Sequence, residues 1–108
     1  MTEARNSQPK LDRIVAEHRA LATLRLLYRA PGNRSNERII AAWLEELGLT
    51  GLREQLHDML DGFESGGFIR CERPGDLLVA VLTQTGEEVA RGIRSAEGVL
   101  RPQPEEIY

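Results

Sequence analysis

One cysteine, Cys71, stands in the 108 residues. That scarcity excludes a disulfide framework within the chain and any zinc site built from several thiolates of one chain. A reducing compartment is the simpler setting. Aromatic residues make up 5% of the sequence, with Trp43 the only tryptophan, too few for a ladder of side chains stacked on single-stranded bases. No apolar run approaches the roughly 18 residues of a membrane span, and "MTEARNSQPK" lacks the apolar stretch of a secretory signal. The chain is therefore expected in the cytoplasm, away from membranes. No internal repeat and no low-complexity segment is present.

What is there suits one small domain, 41% hydrophobic and 29% charged, with a formal net charge of −3. The charge is uneven. Residues 1–34 carry seven Lys/Arg against three acids, and residues 35–67 carry two against seven. A duplex partner should prefer the first block and avoid the second.

From Pro9 the pattern turns helical, with Leu11, Ile14, Val15, Leu21, Leu24, Leu27 and Tyr28 at spacings of three and four. "APG" at 30–32 stops it. Apolar residues on more than one face of this helix point to a second surface, such as another subunit. The polar turn "GNRSN" follows. Ser35 or Asn36 is placed to cap a second helix whose apolar set is Ile39, Ile40, Trp43, Leu44 and Leu47, ended by Gly48. "GLTG" leads to a third helix with Thr50 as the predicted cap and a stripe of Leu52, Leu56, Met59, Leu60 and Phe63. Two short strands, about residues 68–72 and 77–82, fold around Pro74-Gly75, whose turn chemistry suits a hairpin tip. Thr83 or Thr85 then opens a fourth helix that stops near Gly92. The remaining "IRSAEGVLRPQPEEIY" reads as an extended arm.

The sequence thus predicts an α+β, mostly helical winged helix-turn-helix fold: three helices, a two-stranded wing, a fourth helix and an extended C-terminal arm. The expected division is a flexible N-terminus over 1–8, the domain over 9–92 and the arm over 93–108. Leu24, Trp43, Leu44, Leu56, Leu60 and Phe63 are expected to meet in one core closed by Leu78 or Val79.

The stretches "LATLRLLYRAPGNRSN", "LGLTGLREQLHDMLDGFESGGFI" and "LLVAVLTQTGEEVARG" resemble the corresponding pieces of winged-helix repressors of the ArsR-like kind. "GDLLVAVLTQTGEEVARG" followed by "EGVLRP" is similar to a family of small proteins from Mu-like phages and prophages. The resemblance covers about residues 10–102 and rests on structural motifs, so it speaks to fold more than to activity. If the chain is phage-encoded, its place is the host cytoplasm.

No enzyme is expected, and no metal or cofactor. His57 and Asp61 share a helix face at a spacing of four without an evident third ligand. His18 falls among packing positions, and Cys71 lacks a His–acid setting. The glycines at 62, 66 and 67 follow a helix and do not open one, unlike a phosphate loop.

In a winged helix-turn-helix the third helix enters the major groove and the wing approaches phosphate or minor groove. At about 100° per residue, Glu54, Asp58 and Asp61 lie within roughly 40° of the direction opposite Leu56. Phosphates repel carboxylates. The DNA-binding candidates are Arg34, Arg38, Arg53, His57, Arg70 and Arg73, and the partner they imply is double-stranded DNA in a transcription-regulator-like role. The protein-interface candidates are Glu54, Asp58 and Asp61, with Val99, Leu100 and Ile107 of the arm. They imply a non-enzymatic interaction module of phage assembly, binding a phage or host protein. Either way a homodimer is expected, because so short a chain buries a modest core.

Overall fold

In the computed structural model, residues 2–104 and 107–108 are described, with side chains from Ser7 onward. Met1 and residues 105–106, parts of the predicted N-terminal and C-terminal segments, lie outside the described residues. Helix α1 spans Thr2–Arg29, with Pro9 inside it and not at its start. Its second half is the spine of the molecule. Ala20, Leu21, Ala22, Thr23, Leu24 and Leu27 are all buried, because helices and sheet pack on one side while the C-terminal region covers another. This part of the surplus apolar surface is used within the chain, while Leu11 and Ile14 upstream are exposed.

At Ala30 the chain reverses through a 3-10 turn, Pro31–Asn33, with Gly32 and Asn33 at positive φ. The Asn33 side-chain amide donates to the carbonyls of Leu27 and Tyr28 at 3.3 and 3.0 Å, satisfying the open end of α1. The "GNRSN" segment is more than a turn. Arg34–Asn36 form strand β1, which three residues are too few to signal by alternation. Helix α2, Glu37–Glu46, starts at Asn36, whose side-chain oxygen accepts from the amides of Arg38 and Ile39, both at 3.0 Å, the usual service of an N-cap. Its exit is closed by Gly48, in the left-handed region at φ 72°, as a helix stop requires.

Helix α3, Arg53–Ser65, starts after Leu52. Thr50 does not cap it; instead Gln55 Oε1 accepts from the Leu52 amide at 2.8 Å. Strands β2, Ile69–Glu72, and β3, Val79–Leu82, form the hairpin, and β1 joins it to give an antiparallel sheet in the order β1-β3-β2. Helix α4, Gln84–Ala90, is capped by Thr83 Oγ1, which accepts from Gly86 N at 3.1 Å. Gly86 is needed for contact: a Cβ there would lie 2.1 Å from the Phe68 carbonyl oxygen. No helix among the described residues is long and apolar enough to cross a membrane. The order is compatible with the winged helix-turn-helix expectation.

The core holds Leu24, Leu27, Ile40 and Leu60, fully buried, with Leu44, Leu56, Phe63 and Leu78 around them. Trp43 is not part of it. The ring is half-buried, and its Nε1 is enclosed without a hydrogen-bond partner. Ile39 and Leu52, assigned to apolar stripes by spacing, are 52% and 68% exposed. Both sit in the first turn or N-cap of their helices, where the phase of the stripe continues but the packing neighbour does not.

The arm folds back on its own chain. Leu100 N donates to the Glu17 carbonyl at 3.1 Å, Val99 packs against the core, and the Tyr108 hydroxyl meets His18 Nδ1 at 2.6 Å. Arg25 and Arg29 donate to the Tyr108 carbonyl oxygen at 3.1 and 2.6 Å. Val99 and Leu100 therefore serve α1 of the same chain, while Ile107 is 63% exposed. Replacing Leu60 by Ala should cost about 2–5 kcal/mol in urea unfolding, as for a fully buried leucine. Trp43→Phe removes the orphaned N–H and should stay within about 1 kcal/mol of wild type or exceed it. A larger loss at Trp43 than at Leu60 would contradict this core.

Candidate functional site

The α3 residues behave as two sets. Leu56, Leu60 and Phe63 face inward and are buried; Glu54, Asp58 and Asp61 are exposed. None of the three carboxylates makes an ion pair or a side-chain hydrogen bond among the described residues. The cations of the same helix pair with one carboxylate of α2, Arg53 from a side chain that is 76% exposed. Arg53 Nη2 and His57 Nε2 both lie 3.3 Å from Oε1 of Glu37, in the first turn of α2.

Glu37 is buried, only 8% exposed. Composition reads it merely as a favourable acid near the positive end of a helix. Its backbone amide donates to the Leu78 carbonyl at 2.9 Å, extending the β1–β3 pairing by one step. Its own carbonyl points along α2. The Leu78 amide, left without that partner, donates to Glu37 Oε2 at 2.8 Å. Burial pushes the carboxyl's pKa up, but the Leu78 hydrogen bond, His57 and Arg53 together outweigh it and hold it below its ordinary value.

A second cluster lies on the outer face of the sheet. Arg34 and Arg70 both stand opposite Val81, and Glu72 stands opposite Val79. Arg34 pairs with Glu72 at 2.5 Å and Arg70 with Glu72 at 3.5 Å. The Arg34–Glu72 pair spans the central strand, so aliphatic stems lie over Val79 and Val81, each 9% exposed. On the β2 edge, Glu64 Oε2 accepts from the Cys71 amide at 2.8 Å. Burial and the nearby Glu64 carboxylate push the Cys71 thiol up, away from thiolate chemistry.

The six predicted DNA contacts therefore divide. Arg53 and His57 are held by Glu37, and Arg34 and Arg70 by Glu72. Arg38 and Arg73 are exposed and make no ion pair among the described residues. His57 pairs with Glu37, not with Asp61. Sequence reasoning missed the hub, Glu37, and the buried arginines of α1. Arg19 donates through Nε to the Leu49 carbonyl at 2.8 Å and through Nη2 to Thr50 O at 3.3 Å. Arg25 Nη1 donates to Ala90 O at 3.1 Å. The available signal was a charged residue amid a helix segment apolar all round.

No protein-family model matches the chain, and no solved structure matches it. Over 91 residues it is 31% identical to a phage protein, a match that takes in 84% of this chain and 94% of the relative. The chain belongs to that phage protein family, as the resemblance of "GDLLVAVLTQTGEEVARG" led us to expect. The relative is "Uncharacterized protein gp26" of Escherichia phage Mu.

Because the folded pKa of Glu37 is depressed, its ionisation adds stability that is complete above the unfolded carboxyl's pKa, about 4.3. That contribution is lost as pH falls through the lower folded value. Glu37→Gln should lower the unfolding free energy by about 1–3 kcal/mol at pH 7. The gap between wild type and variant should stay level down to about pH 5 and shrink in more acid solution. A gap that widens on acidification would refute the assignment.

Proposed function

We propose that the chain is a winged helix-turn-helix phage protein that works without catalysis, by binding another protein through the outer face of α3. Support for the fold reading comes from the α2–turn–α3 pair, the β2–β3 hairpin beside it and the strand β1 that completes the sheet. The observation that carries the partner is the row Glu54, Asp58, Asp61. It is exposed and makes no ion pair among the described residues, while the two cations of the helix pair with Glu37. A helix set in a DNA groove with this row outward would bring three uncompensated carboxylates toward phosphates. The complementary partner is a protein surface rich in Lys and Arg.

A second reading, binding of double-stranded DNA in a regulator-like role, is favoured by Arg38 and Arg73. They are exposed, without an ion pair among the described residues, at the start of α2 and on the hairpin, the positions from which this fold approaches phosphates. Arg34, Arg53, His57 and Arg70 are partly exposed, and a phosphate there would compete with the carboxylates they pair with. In either role we propose a homodimer through the upstream part of α1. There Leu11 and Ile14 are 53% and 40% exposed, an apolar surface that a second copy would cover.

Fluorescence anisotropy with random duplex separates the readings. Wild type should not bind at low salt, and the variant Glu54→Gln/Asp58→Asn/Asp61→Asn should gain affinity that falls steeply with salt. A photocrosslinker at Gln55 should capture a phage-encoded protein in cells producing the phage. Duplex binding by wild type that is lost in Arg38→Ala/Arg73→Ala, or crosslinks to DNA, would overturn the protein reading in favour of DNA. Sedimentation velocity should show a dimer at micromolar concentration that Leu11→Asp/Ile14→Asp dissociates. A wild-type monomer there would rule out that contact.

A further inference from the structure

A cleft of about 650 Å³ lies between α2, the loop to α3, the start of α3 and the tip of the β2–β3 hairpin. Its volume falls within the roughly 300–1,000 Å³ of small-molecule sites. The floor and walls include Leu44, Leu56, Leu77 and Pro74, and Arg19 reaches it from α1. Arg19 is 8% exposed. With Nε and Nη2 fixed on the Leu49 and Thr50 carbonyls, its third nitrogen, Nη1, has no partner among the described residues. Nη1 is not an enclosed orphan either, since Trp43 Nε1 alone has that status among them. It belongs to a charged guanidinium, rigidly held, that lines the cleft.

A second donor set adjoins it. Helix α3 opens without a side-chain cap, unlike α2 and α4, so the first-turn amides of Arg53, Glu54 and Gln55 have no partner within the helix. The two sets are neighbours. A Cβ on Gly51 would come within 2.8 Å of Arg19 Nη2 and 2.6 Å of Gln55 Oε1. Helix amides and a positive end pointing at one place favour an anion, and a charged guanidinium N–H beside them adds a charge-assisted donor. The acids of the lining do not cancel this. Glu37 is spent on Leu78, Arg53 and His57, and Glu45 and Asp76 are exposed.

We propose that this cleft binds a small organic carboxylate, its head on Arg19 Nη1 and the start of α3 and its hydrocarbon body on Leu44, Leu56 and Leu77. The site does not depend on whether α3 meets protein or DNA. A bound anion would tie α1, α3 and the hairpin together beside the acidic face.

The test is a titration of the isotope-labelled full chain with octanoate, octanamide and inorganic phosphate, followed by backbone amide shifts. Octanoate should shift Gly51, Leu52, Arg53 and Leu77 saturably. Octanamide, which lacks the charge, should bind at least about tenfold more weakly, and phosphate, which lacks the apolar body, should be weaker by a similar factor. Arg19→Gln should abolish binding. Because Arg19 also holds the loop, Leu77→Ser on the half-buried hairpin is the second variant, with affinity expected to fall about threefold or more. Equal binding of octanamide would overturn the anion site, and equal binding of phosphate would overturn the apolar body. Shifts elsewhere, or none in the folded protein, would overturn the site altogether.

Discussion

The carboxylate of Glu37 joins three elements that have no covalent reason to stay together. Its residue is the last step of the β1–β3 pairing and the first of α2, and one carbonyl cannot serve both. The helix takes the carbonyl, and the side chain returns to satisfy the Leu78 amide. Its other oxygen meets Arg53 and His57 on α3. Burying a carboxylate is unfavourable unless it is hydrogen-bonded and paired. Here it is both, so its ionisation is favoured despite burial.

That arrangement sets the character of the surface. Glu37 pairs with His57 and with an Arg53 side chain that stays 76% exposed, and the outward row of α3 is Glu54, Asp58 and Asp61. Glu72 pairs likewise with Arg34 and Arg70 on the sheet, and the pairing shields two valines that the three-stranded sheet would otherwise expose. Glu64 closes the edge of β2 at Cys71, removing one site for strand addition. Acids thus carry out backbone and sheet duties in this domain, and most cations near α3 are committed to them.

The spine is held in the complementary way. Arg19 and Arg25 project from an apolar stretch of α1 and end on backbone carbonyls of the α2–α3 loop, α4 and the chain's last residue. Each binds a chain reversal to the central helix, and Arg19 also lines the cleft. A phage family membership and a scaffold compatible with a winged helix leave function to such sites, because a fold of this kind hosts many activities.

Local sequence by itself determined the four helices, the hairpin, the Gly48 stop and the cap positions to within two residues, Ser35 or Asn36 and Thr83 or Thr85, since these depend on neighbours three or four residues apart. It also determined that Glu54, Asp58 and Asp61 share the outward face of α3. Only the tertiary structure decided where a stripe ends, leaving Ile39 and Leu52 exposed and Trp43 outside the core, because burial needs a facing partner that spacing does not specify. Strand β1 was illegible for the same reason: three residues become a strand only when β3 lies beside them. The arm's return to α1 and the fate of the arginines were likewise decided in three dimensions. A charge read along the chain has a sign, but whether it meets solvent, a carbonyl or Glu37 depends on residues 16 to 83 positions away.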